Sequence, residues 1–216
     1  MTFNALEIAK DFPIPGRTIR DGKKLVYLDS GATSQKPNSV IDAESNFYRQ
    51  HNAAAHRGAH QLAEEATTAM ENARAIVAKF IGADVDEVVF TKSATEALNL
   101  VAYAMGNAPA GNRFHLDSSH SIVVTEMEHH ANLIPWQQLA SRTGATLKWF
   151  EVNPEGRLDL SNINQVITED TKVVALTHQS NVLGTIIPLE DIVKRAHQVG
   201  AVVVLDACQS VPHMSV

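Results

Sequence analysis

Four short segments gather most of the side chains able to do chemistry. The run Lys92-Ser93-Ala94-Thr95-Glu96 opens a helical pattern with small and hydroxyl residues. Backbone N–H groups and the Thr95 hydroxyl can meet an anion at such a helix N-terminus, which suits a phosphate; a plain cap by Ser93 or Thr95 accounts for the same residues. Glu126-Met127-Glu128-His129-His130-Ala131-Asn132 sets two adjacent histidines at a strand-to-helix junction. An imidazole there can cap the helix, stack on a flat ligand or bind a metal. Metal is the poorest of these: adjacent histidines point apart, the HExxH pattern is absent, and zinc wants three or four ligands. His178–Thr185 carries Asn181, whose amide can bond a ring substituent of a ligand or form an ordinary turn, with Gly184 supplying the unusual backbone angle. Asp206 ends an apolar run and leads into Ala207-Cys208-Gln209-Ser210. A carboxylate at the end of a buried strand is costly unless paired, with a protonated ring nitrogen or with loop amides. A phosphate cradle, a flat stacking group, a ring hydrogen bond and a ring-nitrogen carboxylate are together what one small aromatic phosphate requires.

The elements that must position these segments alternate. Strands are predicted at Val88–Thr91, Ser121–Thr125, Ala145–Val152, Lys172–Thr177 and Val202–Leu205, and helices at Ala94–Met105, Ala131–Arg142, Leu158–Ile167 and Leu189–Val199. Continuous apolar strands such as VVAL and AVVVL argue for an α/β fold, a mostly parallel sheet with helices on both faces. Ligands of such sheets gather at the C-terminal strand ends, where all four segments lie. Upstream, residues 1–24 read as an N-terminal arm with a short helix at Ala5–Asp11, broken by Pro13, Pro15, Gly16 and Gly22. A strand at Leu25–Leu28, a helix from Asn38 to about Gln50 and an ordered loop at His51–Gly58 follow. Then comes a long helix, Gln61–Ile81, with Ala66, Met70, Ala73, Val77 and Phe80 at helical spacing, stopped by Gly82.

Bulk properties exclude several classes. A net charge of −6 without a basic run argues against nucleic acid. No stretch of apolar residues is long enough to span a membrane, and the N-terminus lacks the pattern of a secretory signal. The single cysteine, Cys208, cannot form an internal disulfide, which fits a reducing cytoplasm. It reads as a small buried apolar residue rather than a nucleophile.

The strings YLDSGATSQKP, AHRGAHQLAEEATTAMENAR, FTKSATEALNLVAYA, VVTEMEHHANLIPWQQLA, LTHQSNVLGTI and VVVLDACQSVPHM are, in order and spacing, similar to the cysteine desulfurases of the Suf type. These are fold-type I pyridoxal 5'-phosphate (PLP) enzymes of the class V aminotransferase group. The resemblance runs from about Leu25 to Met214. It implies an arm at 1–24 and, at 25–216, a partial PLP-binding large domain. It also implies that Ala94 and Thr95 hold the cofactor phosphate, that His129 stacks on the ring and shuttles protons, and that Asn181 contacts the ring hydroxyl or the substrate carboxylate. Asp206 would bind the pyridine nitrogen and Gln209 the ring oxygen. His56 and Arg57 would line the entrance near a dimer interface, and Gly31 and Ala32 the substrate-carboxylate pocket. No metal site is implied. The implied reaction takes L-cysteine to L-alanine and leaves an enzyme-bound persulfide for iron–sulfur cluster assembly, in a cytoplasmic homodimer that hands sulfur to an acceptor protein.

The sequence departs from the pattern at Ser93, at Ala207-Cys208 and in the stretch His115–Ser121. The largest departure concerns the Schiff-base lysine of a Ser-Gly-His-Lys-like motif: all nine lysines precede Asp206. The acceptor cysteine and the substrate-clamping arginine of the family's C-terminal half are not among these residues either. The expectation is a fragment that folds poorly or needs a partner, with an open sheet edge, and is inactive alone. Another class V enzyme, such as a selenocysteine lyase or an epimerase-like relative, and a non-catalytic remnant that pairs with a full-length copy are the alternatives.

Overall fold

The computed structural model describes residues 3–215; Met1 and Thr2 of the predicted arm, and Val216, lie outside the described residues. The chain packs as two units, one ending at Val89 and one beginning at Phe90.

The first unit is built from local helices. The Asn4 side chain accepts the N–H groups of Leu6 and Glu7 and so starts α1 (Ala5–Ile8), which tightens into a 3-10 turn over Ala9–Asp11. α2 (Asn38–Asn46) runs on into a π-helical turn at Phe47–His51, as the pattern to Gln50 predicts. α3 (Gln61–Ile81) has its predicted bounds. Gly82 ends it in the left-handed region, at φ 69°, where a residue with a Cβ is strained.

The buried stripe of α3 is not quite the expected one. Ala63, Ala66 and Ala78 are buried and Met70 and Val77 half-buried, whereas Ala73 and Phe80 face solvent. Arg74 takes the inward place, its guanidinium bonded to Glu71 and to the carbonyl of Val88. The strands predicted at Leu25–Leu28 and Val88–Thr91 do not form: both segments lie outside every ladder, and near the first only the bridge of Thr18 with Lys24 forms. β-branched residues favour an extended backbone, but a strand exists only through its partner.

The second unit is a layered α/β body. Its four-stranded sheet has the order β2-β1-β3-β4, with β1 Ser121–Thr125, β2 Thr146–Phe150, β3 Thr171–Thr177 and β4 Val202–Asp206. Every pairing is parallel. The apolar run in β1 and β3 is buried almost throughout because these are the central strands. Ile122 and Val124 pack with Trp136 and Leu139 of α5 (His130–Thr143) and with Ala102 and Met105 of α4 (Ala94–Gly106). Val123, Val174 and Leu176 pack with Ile192 and Ala196 of α7 (Leu189–Gln198). The helix predicted at Leu158–Ile167 shrinks to α6 (Ile163–Val166). Leu158 instead bridges back to Val152 across a turn, and Asp159 and Ser161 form a side-chain-to-backbone turn that competes with helix.

Candidate functional site

Parallel pairing puts the C-terminal ends of β1, β3 and β4 side by side, and what leaves them forms the site. Thr177 ends β3 in register with Asp206, which ends β4. The Asp206 carbonyl accepts the His178 N–H at 2.9 Å, and its carboxylate accepts the Cys208 N–H at 3.0 Å. The carboxylate is thus held by a loop amide, one of the two expected partnerings.

From β1 the chain turns through Glu126–Glu128 into α5. His129 is the N-cap: its Nδ1 accepts the Ala131 N–H at 3.1 Å, which leaves the proton of a neutral ring on Nε2. The ring is exposed, 6.3 Å from that of His130 and tilted by 49°. A cavity of about 640 Å³ opens here, lined by Glu126–His130, Val152 and Ser180–Leu183. His129 and Asn181 therefore share one cavity. The Asn181 loop is folded by the Ser180 hydroxyl, which accepts the N–H groups of Val182 and Leu183, and by Gly184 at φ 70°.

Beneath the cavity sits a carboxylate that the sequence reading passed over. Glu128 Oε1 accepts the Thr125 hydroxyl at 2.6 Å and the Thr177 N–H at 2.9 Å, while Oε2 accepts the Asn132 side-chain amide at 2.6 Å. Asn132 is fully buried and in turn accepts the Trp136 Nε1–H at 2.9 Å. Burial pushes the Glu128 carboxyl up to about 7 against the pull of these three donors, and the charge of Asp206 adds to the rise. The four-residue spacing of Glu128, Asn132 and Trp136 was the available signal.

The other expected residues are placed as follows. Ser93 caps α4, its Oγ accepting the Glu96 N–H at 3.2 Å, so the cap alternative holds for that hydroxyl. The amides of Ala94 and Thr95 belong to the first turn, which lacks intrahelical acceptors, and Thr95 is exposed. Among the described residues the cavity walls include neither these two nor Asp206 or Gln209. Cys208 is exposed, not buried as expected, because it sits in the turn after β4. Partial burial of its sulfur and the Asp206 charge push the thiol up, which favours its protonated, less nucleophilic form. Gly31, Ala32, His56 and Arg57 belong to the first unit and are exposed. His56 has a left-handed backbone, φ 60°, pinned by its N–H to the Thr67 hydroxyl and its ring to Glu71. No trio of metal-ligating side chains occurs among the described residues, and none of the described helices is long and apolar enough to cross a membrane.

The profile of the aminotransferase class-V family matches residues 26–216. The chain belongs to that family. A probable cysteine desulfurase of Streptomyces coelicolor is 58% identical over 208 residues, 96% of this chain and 49% of that protein. The apo structure of a cysteine desulfurase from Thermococcus onnurineus superposes with a TM-score of 0.87 at 39% identity, over 100% of this chain and 50% of that one. The Escherichia coli cysteine desulfurase CsdA gives a TM-score of 0.80 at 33% identity, over 100% and 51%. The chain spans about half the length of the relatives it matches. These structures share the parallel sheet that the strand pattern predicts, in the fold-type I class that the resemblance implies.

Proposed function

We propose that the chain is the N-terminal part of a PLP-dependent cysteine desulfurase of the Suf type, converting L-cysteine to L-alanine and passing the sulfur to a cysteine as a persulfide for iron–sulfur cluster assembly. The observation that carries this reading is the strand-end cavity faced by both His129 and Asn181, one strand from the Asp206 carboxylate, in a chain of the class V family. The donor set fits the cofactor: an exposed imidazole for a flat ring, an amide for a ring oxygen, a carboxylate for a ring nitrogen, and first-turn amides for a phosphate. When bound, the cofactor supplies an electron sink for breaking bonds next to the substrate amine.

The chain's own residues divide the remaining work. Asp206 would hold a pyridine nitrogen in its protonated form from the end of β4. His129, with Nδ1 committed to the Ala131 N–H, presents Nε2 as the proton-carrying atom. Asn181 and Gln209 orient ring oxygens, and Ala94 and Thr95 hold the phosphate. Gly31 and Ala32 serve the substrate carboxylate, and His56 and Arg57 the entrance. Within the same proposal residues 1–24 are the arm, 25–216 part of the large domain, the working protein is a cytoplasmic homodimer, and its partner is a sulfur-acceptor protein. Residues 1–216 alone are inactive, because the Schiff-base lysine and the acceptor cysteine implied by the resemblance are not among them.

Titrating PLP into this chain tests the site. Saturable binding is expected, weakened about tenfold by Asp206→Ala, the loss of one charge-assisted hydrogen bond. No binding, or binding indifferent to Asp206, overturns the reading. Release of alanine from L-cysteine at an enzymatic rate, with PLP and no other protein, overturns the inactivity.

A further inference from the structure

We propose that Glu128 is a positioning residue, whose carboxylate sets the His129 ring and the Asn181 loop against each other across the cavity; the inference rests on reading that cavity as the cofactor site. Glu128 joins three elements at one point. Thr125 is the last residue of β1, Thr177 the last of β3, and Asn132 lies in the first turn of α5. Each donates to the carboxylate. The Thr177 N–H is the last of the strand before the loop that carries Asn181. Asn132 grips the other wall twice, its backbone N–H on the His129 carbonyl at 2.8 Å and its side chain on Glu128. The two walls of the cavity are thus tied through one side chain.

The tie has a direction that only certain residues satisfy. Above about pH 7 the carboxyl is ionised and all acceptor, and three donors converge on it. Asn132 cannot turn its amide around, because its Oδ1 already accepts from Trp136. In Glu128→Gln, Oε1 can keep Thr125 and Thr177, but the new NH2 meets the Asn132 NH2, donor against donor. Pairing it with Asn132→Asp restores every bond, only the one between 128 and 132 changing direction: the introduced amide donates to the introduced carboxylate, whose second oxygen takes the Trp136 N–H. The charge moves to the first turn of α5, where a helix favours it.

The test follows the His129 ring nitrogens and the Asn181 amide by NMR in the PLP-free chain, with PLP affinity as a second readout. In Glu128→Gln both sets of signals should shift while those of β1 and β3 stay in place, and PLP should bind about tenfold more weakly. Glu128→Gln with Asn132→Asp should return the signals and bring affinity to within about twofold of the wild type. Unmoved His129 and Asn181 signals in a folded Glu128→Gln chain overturn the proposal. If that variant does not fold, the double variant decides. A folded double variant with native His129 and Asn181 signals supports positioning; displaced signals, or no folding, overturn it. Wild-type chain that binds no PLP sinks the cofactor reading, while the NMR signals still report on Glu128.

Discussion

The two units solve the burial problem differently. The second unit, from Phe90, closes a core on both faces of a parallel sheet, with Trp136, Phe150, Leu139, Ile167 and Ile192 fully buried. The first, through Val89, buries alanines of α3 and little else, and leaves Leu28 at 90%, Ile76 at 70% and Phe80 at 57% exposure. Large apolar side chains left in water contribute nothing until something covers them. The first unit's order rests on local devices: the Asn4 and His60 caps, the Asp84–Glu87 capping box and the ion pair of Arg74 with Glu71. The cavity lies wholly within the unit that has its own core, so the groups around it are held by long-range packing.

The sharpest way to break this contrast is to remove the residue that joins core to site. Trp136 is wholly buried and supplies the hydrogen that Asn132 accepts. Trp136→Ala should cost about 3–5 kcal/mol from the lost packing alone. Urea unfolding followed by far-UV circular dichroism measures it. A cost below about 1 kcal/mol, the level of an ordinary surface change, would mean the second unit is not the ordered half.

Carboxylates sharpen the comparison further, because they titrate in opposite senses. In the first unit Glu65 and Glu71 are pulled below their usual value, by hydrogen bonds from His51 and from Arg74 respectively, so each favours folding above that value and ceases to as the pH falls. Glu128 is the reverse. Its folded value, about 7, lies above the 4.5 of the unfolded chain, so the folded state holds the extra proton. Its contribution is complete below about pH 4.5 and lost as the pH rises through 7. The stability of wild type relative to Glu128→Gln should therefore fall by roughly 3 kcal/mol between pH 4 and pH 8. Paired urea midpoints across that range check it. A flat difference means that Glu128 is ionised throughout, with its three donors outweighing burial.

Legibility in the sequence followed the same divide. β1, β3 and β4 and their helices could be read within a residue or two, because a buried parallel strand leaves a continuous apolar run and its helix an amphipathic one. Leu25–Leu28 and Val88–Thr91 carry the same strand signature without a ladder, since pairing is a property of the neighbour. Of the site, His129 and Asn181 were legible as strand-end residues and do meet at one cavity. Glu128 was not. Its role depends on Thr177, far along the chain but beside it in the sheet, and no local spacing encodes that contact. Cys208 was misread because type alone suggests burial, whereas its place in the turn after β4 decides exposure.

The smallest effects belong to the end of α3, where two neighbouring substitutions separate local backbone from packing. Phe80 is the larger side chain, and a sequence reader would expect its loss to hurt more. It is exposed, however, so Phe80→Ala should change stability by no more than about 0.5 kcal/mol. Gly82 has open space where a Cβ would go, so nothing collides, yet its φ of 69° is one that alanine resists. Gly82→Ala should therefore cost about 1 kcal/mol through backbone strain alone. Hydrogen exchange at the last turn of α3 reads both. The glycine variant should speed exchange there and the phenylalanine variant leave it nearly unchanged. The opposite order would mean that Phe80 is covered in solution, and that the first unit has a partner for its apolar face.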